Sequence, residues 1–310
     1  MNPDGQNHQP GWYFRLSRFF KDKFGEPVYK IPIDAGFSCP NRDGTVGTGG
    51  CSYCYNPSFS PFSGAKPVSV TEQIQKGKKK NRQALYLAYF QAYTNTYAPV
   101  EQLKDLYDEA LSDSEVIGLS IATRPDAVSE EILNLLEVYG QRCHLWVEYG
   151  LQSAHDETLK RINRGHDTAS FIRAIEMTRS RDIYTCAHII LGLPGENREM
   201  MLQTIEFLNR CKVDGVKFHH LQVIKNTALA DGYSEGGFEV YKKAGDYIPI
   251  LCDCLERLSS GIVIHRLASQ ATSSELLIAP HWAEGAGQIA SMVEAELKSR
   301  GTHQGSLCQT

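Results

Sequence analysis

Cys39-Pro40-Asn41-Arg42-Asp43-Gly44-Thr45-Val46-Gly47-Thr48-Gly49-Gly50-Cys51-Ser52-Tyr53-Cys54 follows directly on residues 30–36, a segment that reads as a strand. Three thiols sit in this one loop, spaced C-x11-C-x2-C. Structural zinc closes its shell with four ligands. A cubane iron–sulfur cluster usually takes four cysteines. With three, one iron keeps an open position, where a substrate or cofactor binds. The spacer holds Gly44, Gly47, Gly49 and Gly50. Glycines permit turns that other residues resist, so the spacer reads as a loop wrapped around something. The nearest histidines, His8 and His144, lie in a polar N-terminal stretch and far along the chain, and no second C-x2-C is present. The spacing favours an iron–sulfur site and leaves zinc and ordinary buried thiols open.

Outward from the loop, apolar and helical segments alternate. Strands are expected at 84–91, 116–123, 144–151, 184–193, 215–223 and 262–267. Helices are expected at 70–82, 99–112, 129–139, 167–181, 198–211 and 238–258. Ser129 reads as an N-cap, with Ile132, Leu133, Leu135 and Leu136 on the inner side of its helix. Strands alternating with helices of ten or more residues mean repeated βα units and a parallel sheet. The fold class is α/β, a partial (β/α)6-type barrel of six or seven units with N-terminal and C-terminal extensions. The expected division is 1–25 as N-terminal extension, 26–270 as core, and 271–310 as helical extension and tail, frayed from Thr302.

The chain has 310 residues, 42% hydrophobic and 22% charged, with net charge −4. These values suit a globular protein and exclude a polycation. No run of eighteen apolar residues is present, which excludes a membrane-spanning helix. Nine cysteines, an odd number, fit reduced thiols in the cytoplasm better than a disulfide frame. Residues 11–30 mix aromatics with Arg15, Arg18, Lys21, Lys23 and Lys30. Such a mixture can hold a polyanion, but an amphipathic helix docked on the core is the favoured reading.

In a barrel of this type the chemistry gathers at the C-terminal ends of the strands. That end should collect the cysteine loop, Gln91 to Asn95, Thr123 to Asp126, Glu148 to Ser153, Gly192 to Gly195 and Lys217 to Gln222. Strand alternation sends Lys217 and His219 to one face and His220 to the other.

The motifs taken together resemble the radical S-adenosylmethionine (SAM) enzymes. They are most similar to the YhcC/YtqA family, relatives of the radical SAM module of the Elongator catalytic subunit. The resemblance rests on Asp34 to Gly44, Gly49 to Cys54, Tyr89 to Tyr97, Thr123 to Asp126, Glu148 to Ser153, Arg164 to His166 and His188 to Gly195, in that order. It covers about residues 25–270. It implies that Cys39, Cys51 and Cys54 hold a [4Fe–4S] cluster. SAM would bind the fourth iron and be cleaved with one electron from a flavodoxin- or ferredoxin-type donor. A 5′-deoxyadenosyl radical would then abstract hydrogen from substrate. The chain departs from the usual C-x3-C-x2-C triplet, and Gln91-Ala92-Tyr93-Thr94 stands where a Gly-Gly-Glu segment is usual.

On this reading Gln91, Tyr93 and Thr94 contact SAM. Glu148 lies near the SAM ribose or ammonium, and Gln152 and Ser153 contact SAM or substrate. Arg164 pairs with the SAM carboxylate, since a guanidinium fork suits a carboxylate. Gly192 and Gly195 let the backbone approach adenine. Lys217 and His219 face substrate, whereas His188 and His265 are ranked lower. Cys143, Cys186, Cys211, Cys252 and Cys254 read as packing thiols. The family link implies tRNA as substrate, at the 5-substituent of wobble uridine. Lys76, Lys78, Lys79, Lys80 and Arg82 form a basic run that would touch phosphates. A small-molecule substrate and an iron–sulfur sensor or electron carrier are the alternatives.

Overall fold

A computed structural model describes residues 11–58, 60, 68–78, 84–269 and 274–308. In chain order the elements begin α1 (Leu16–Phe24), β1 (Val28–Ile33), α2 (Val70–Gly77), β2 (Leu85–Phe90), α3 (Val100–Leu111), β3 (Val116–Thr123), α4 (Glu130–Arg142) and β4 (His144–Gln152). Next come α5 (Asp156–Arg161), α6 (Thr168–Arg179), β5 (Tyr184–Leu191), α7 (Arg198–Cys211), β6 (Gly215–His220) and β7 (Val223–Ile224). The chain continues through α8 (Ala228–Ser234), α9 (Ala244–Arg257), β8 (Val263–Arg266), β9 (Leu277–Ala279) and α10 (Ala286–Arg300).

Seven strands form one parallel sheet in the order β1-β2-β3-β4-β5-β6-β8. The two edge strands, β1 and β8, do not pair. Yet Lys30 Nζ of β1 lies 3.2 Å from His265 Nδ1 of β8. The sheet therefore curls until its edges nearly meet, and only side chains cross the open seam. This is the expected α/β half-barrel, with the short β8 as a seventh strand.

The lower end of the barrel is sealed by apolar side chains. Leu87, Trp146, Cys186 and Val263 point inward from four strands and close around Phe20 of α1, which is 1% exposed. Phe19 of α1 packs edge-on against Trp146 and Tyr184. The aromatic residues of the N-terminal segment are thus a plug, and the basic ones of α1 face outward, where Arg18 pairs with Asp22, whereas Lys30 of β1 turns into the barrel instead of facing water.

Several elements match the sequence reading closely. The β3 and α7 bounds coincide, and Ser129 caps α4 by accepting from Ile132 N. Within α4, Leu133 and Leu136 are buried, whereas Ile132 and Leu135 are half-buried at the edge of the core. Three expectations need correction. The 238–258 helix starts only at Ala244. Residues 238–243 run outside helix, and the Tyr241 carbonyl accepts from Trp282 Nε1 at 2.8 Å. The 70–82 helix ends at Gly77, and Lys79, Lys80 and Arg82 lie outside the described residues. The tail after Thr302 is docked, not frayed. Gln304 is 3% exposed, donates to Ser259 O and Ile262 O, and accepts from Phe14 N at 2.8 Å. It ties the C-terminus to the N-terminal segment beneath the barrel.

Candidate active site

The cysteine loop leaves β1 at the C-terminal mouth of the barrel and is fixed by its own backbone. Pro40 O accepts from Val46 N at 2.8 Å, and Asn41 O accepts from Gly50 N at 2.8 Å. Gly49 and Gly50 both adopt positive φ, at 78° and 81°, which side-chain-bearing residues rarely do. The loop is also clamped from outside. Ser52 N donates to Ile162 O after α5, and Ser52 O accepts from Leu229 N of α8. Asn163 Nδ2 donates to Gly50 O at 2.8 Å, and Asn41 Nδ2 donates to Asn163 O at 2.7 Å. The sequence reading missed α5 and α8, which are too short to show a helical period.

Cys39, Cys51 and Cys54 all line one chamber beneath this loop. Their sulfurs do not all lie within 4.8 Å of one another. A single tetrahedral zinc, with Zn–S near 2.3 Å, would draw them to roughly 3.8 Å. As placed, the three thiols are too far apart to share one zinc. Thr94, in the loop after β2, also faces the chamber, and its buried Oγ1 has no hydrogen-bond partner. Buried hydroxyls are rarely left so, and this one fits a polar cofactor in the chamber.

Arg164 does not lie free for a carboxylate. Its Nη1 is 3.3 Å from Cys51 Sγ, and its Nη2 donates to Gly150 O at 2.7 Å. Gly150 makes this possible, since a Cβ there would lie 2.5 Å from Arg164 Nη2. Burial would raise the Cys51 thiol, but Arg164, with Arg124 behind it, holds it below the ordinary value. Cys54 is pushed up to about 11 by burial and by the neighbouring Cys51.

Deeper in the barrel lies a layer that is polar throughout. Glu148, in mid-strand on β4 and not at its end, is fully buried. Its Oε1 accepts from Lys30 Nζ and from Ser120 Oγ, the latter at 2.5 Å. Its Oε2 lies 2.6 Å from His188 Nε2 and 3.1 Å from Lys217 Nζ. His265 Nδ1 is 3.6 Å from Oε1. Lys217 also donates to Tyr89 Oη at 2.6 Å. Burial opposes ionisation of Glu148, but Lys217 and Lys30 hold its carboxyl well below the usual range. Burial brings Lys217 down to about 7, an effect that Glu148 only partly offsets and that Arg266 and Lys30 add to. Burial also lowers His188 to about 4 and His265 to about 3, so both are neutral near pH 7. His188 then carries its proton on Nε2, because the carboxylate can only accept.

Gln91, Tyr93, Thr94, Gln152, Lys217 and His219 line the same chamber as the cysteines. Three candidates lie elsewhere. The Ser153 hydroxyl donates to Glu196. Gly192 and Gly195 line a separate groove beside Tyr241. Glu148 and Arg164 are in place but already engaged by the chain itself. The structure also brings Lys30, Tyr89, His188 and His265 to the layer around Glu148, and Arg266 to the chamber wall. Alternation along β1 carried a signal for Lys30, a lone cation between Tyr29 and Ile31. No local signal marks Arg266.

A parallel half-barrel with three cysteines on a loop after its first strand defines a class of cluster-binding enzymes. The chain belongs to the radical SAM superfamily, whose family model matches residues 43–208; a radical SAM C-terminal domain model matches 213–299. Its cofactors are accordingly a [4Fe–4S] cluster and SAM. It is 36% identical to the uncharacterized protein YtqA of Bacillus subtilis over 99% of this chain and 96% of that protein. It is 40% identical to protein YhcC of Escherichia coli over 84% of each. A tRNA uridine(34) acetyltransferase of Methanocaldococcus infernus is 32% identical over 41% of this chain and 24% of its own length. The solved Elp3 of the same organism shares the fold, with a TM-score of 0.64 at 18% identity, covering 89% of this chain and 64% of that one. The family is thus related to Elongator. Among the described residues no helix is long and apolar enough to cross a membrane.

Proposed function

We propose that this radical SAM enzyme abstracts hydrogen from a substrate held in the chamber beneath the cysteine loop. One observation carries the reading: the three cysteines and the buried polar layer open into a single chamber. Cys39, Cys51 and Cys54 would hold the cluster. Once bound, cluster and SAM supply a 5′-deoxyadenosyl radical on receipt of one electron, for which a flavodoxin- or ferredoxin-type donor in the cytoplasm is proposed.

The chain's own residues do the remaining work. Thr94 offers its unpartnered hydroxyl to SAM, with Gln91, Tyr93 and Gln152 around it. Arg164 holds positive charge against Cys51. The Phe20 plug closes the chamber to water from below. Lys217 and His219 face the substrate.

Two substrate classes follow. A tRNA substrate, modified at the 5-substituent of wobble uridine, is supported by the likeness to tRNA uridine(34) acetyltransferases. A small-molecule substrate is the second class, supported by a chamber whose polar groups Lys217 and Glu148 lie buried inside the barrel. Of the cations expected to touch phosphates, Arg15 pairs with Glu294, Lys76 with Glu72, and Lys78 with Asp113 and Glu115, whereas Lys79, Lys80 and Arg82 lie outside the described residues.

The test is anaerobic. The cluster is reconstituted, SAM and dithionite are added, and 5′-deoxyadenosine is measured with and without tRNA. Product that rises with tRNA supports the first class. Product indifferent to tRNA supports the second. No product from protein with an intact cluster would refute the enzyme reading and leave an electron carrier or sensor.

A further inference from the structure

The chamber wall carries a cation that nothing in the described structure neutralises. Arg266 closes β8, is half-buried and lines the chamber. Among the described residues its guanidinium has neither hydrogen bond nor ion pair. Every other arginine on the wall is engaged. Arg124 forks onto Asp126, Arg42 donates to Cys54 O, and Arg164 is held by Gly150 O and Cys51.

A local irregularity puts Arg266 there. The β6–β8 register runs Gly215 with Val263, Val216 with Ile264, and then Lys217 with Arg266. One residue, His265, is skipped. A strand with one extra residue loses its alternation at that point. Both His265 and Arg266 therefore reach the barrel interior, His265 onto Lys30 and Arg266 onto the chamber wall beside Lys217. Lys217 spends two of its three donors on Tyr89 and Glu148 and has one left. Around this corner the basic side chains Lys30, Lys217 and Arg266 stand against one carboxylate, Glu148.

We propose that Arg266, with Lys217 beside it, is the binding site for an anionic group of the substrate, a carboxylate or a phosphate. A guanidinium fork with two free edges matches either anion. The proposal rests on the radical SAM reading only for what happens next; the site itself is a matter of charge and geometry. It narrows the small-molecule class to anionic metabolites anchored at the β6–β8 corner.

The test uses the full chain with its cluster reconstituted, titrated anaerobically in a calorimeter with inorganic phosphate and, separately, with succinate. One of the two should bind wild-type protein at a single site. Arg266→Gln should weaken that binding by about tenfold to a hundredfold, the span expected for a charge-assisted hydrogen-bond pair. Arg266→Lys should fall between them, since it keeps the charge and loses the fork. Phosphate binding would indicate a phosphate ester, and succinate binding a carboxylate. The idea is overturned if neither anion binds the wild type, or if Arg266→Gln and Arg266→Lys both bind as tightly as the wild type. Melting temperatures of the variants show that each is folded. Release of 5′-deoxyadenosine from the wild type, assayed apart from anion binding, tests the radical reading. Its absence would remove that reading and leave the anion result standing.

Discussion

Replacing Glu148 by Gln should destabilise the barrel far more than loss of one surface charge would. The carboxylate is fully buried and is engaged by Lys30, Lys217, His188 and Ser120. A carboxamide keeps the volume but strips the countercharge from two lysines. Breaking a buried ion pair by removing one partner costs about 3–5 kcal/mol, because the other charge is left uncompensated. For a chain of this length that is a fall in melting temperature of roughly 5–8 °C. Circular dichroism melts under argon measure it directly. Adding Lys217→Met to Glu148→Gln should recover part of the loss, so the double variant should be more stable than the sum of the two single effects. The sign with pH also follows. Glu148 has a folded pKa held well below its ordinary 4.5. Its contribution is full above about 4.5 and is lost as pH falls through the folded value. Lys217 is lowered from 10.5 to about 7. The unfolded chain therefore binds the extra proton between those values, and stability rises with pH across that window. In Glu148→Gln the window should extend below pH 7, because the partner that raised Lys217 has gone. If Glu148→Gln melts within 2 °C of the wild type, the polar layer is not held as an ion-pair network and the reasoning is wrong.

Cys51→Ala should abolish the cluster absorption of reconstituted protein while leaving a soluble fold with unchanged far-ultraviolet dichroism; a full cluster in this variant would sink the ligand assignment. Arg164→Gln removes a positive charge 3.3 Å from Cys51 Sγ and should make the cluster potential more negative, since charge and hydrogen bonds at the sulfurs set it; a redox titration followed by electron paramagnetic resonance reads the shift, and no change or a rise contradicts the geometry. Phe20→Ala should cost about 3–5 kcal/mol in urea unfolding, whereas a loss under 1 kcal/mol would mean that α1 does not plug the barrel. His188 near 4, His144 near 3 and His265 near 3 are all lowered from 6.5, chiefly by burial; the unfolded chain takes up their protons first, so each should remove up to about 2 kcal/mol by pH 5. Urea midpoints should therefore fall steadily from pH 6.5 to pH 5, and a flat profile would contradict buried neutral histidines.

The parallel α/β frame and the cysteine loop were legible in residue order alone. Both are local properties. Residues 116–123 are a mostly apolar, β-branched run between polar segments, and its bounds survive unchanged in β3. C-x11-C-x2-C is a spacing along the chain, legible before any packing is known, although distant segments at Ile162, Asn163 and Leu229 clamp the loop in place. Alternation likewise carried Lys217 and His219 to the same interior. Tertiary structure alone decided which charges meet. Lys30, Glu148 and His265 are separated by more than a hundred residues each, and only the closing curl of the sheet brings them together. The same curl turned Glu148 from an expected strand-end group into the anchor of a buried layer. Gly192 and Gly195 carry positive φ, as a strand-to-helix turn requires, but the turn faces Tyr241 and not the chamber. Arg266 depended on a one-residue slip against β6, a pairing register that no local pattern records. Periodicity fixes which face of an element is apolar, but the partner across the barrel is set by sheet closure, and it is closure that turns scattered polar residues into a site.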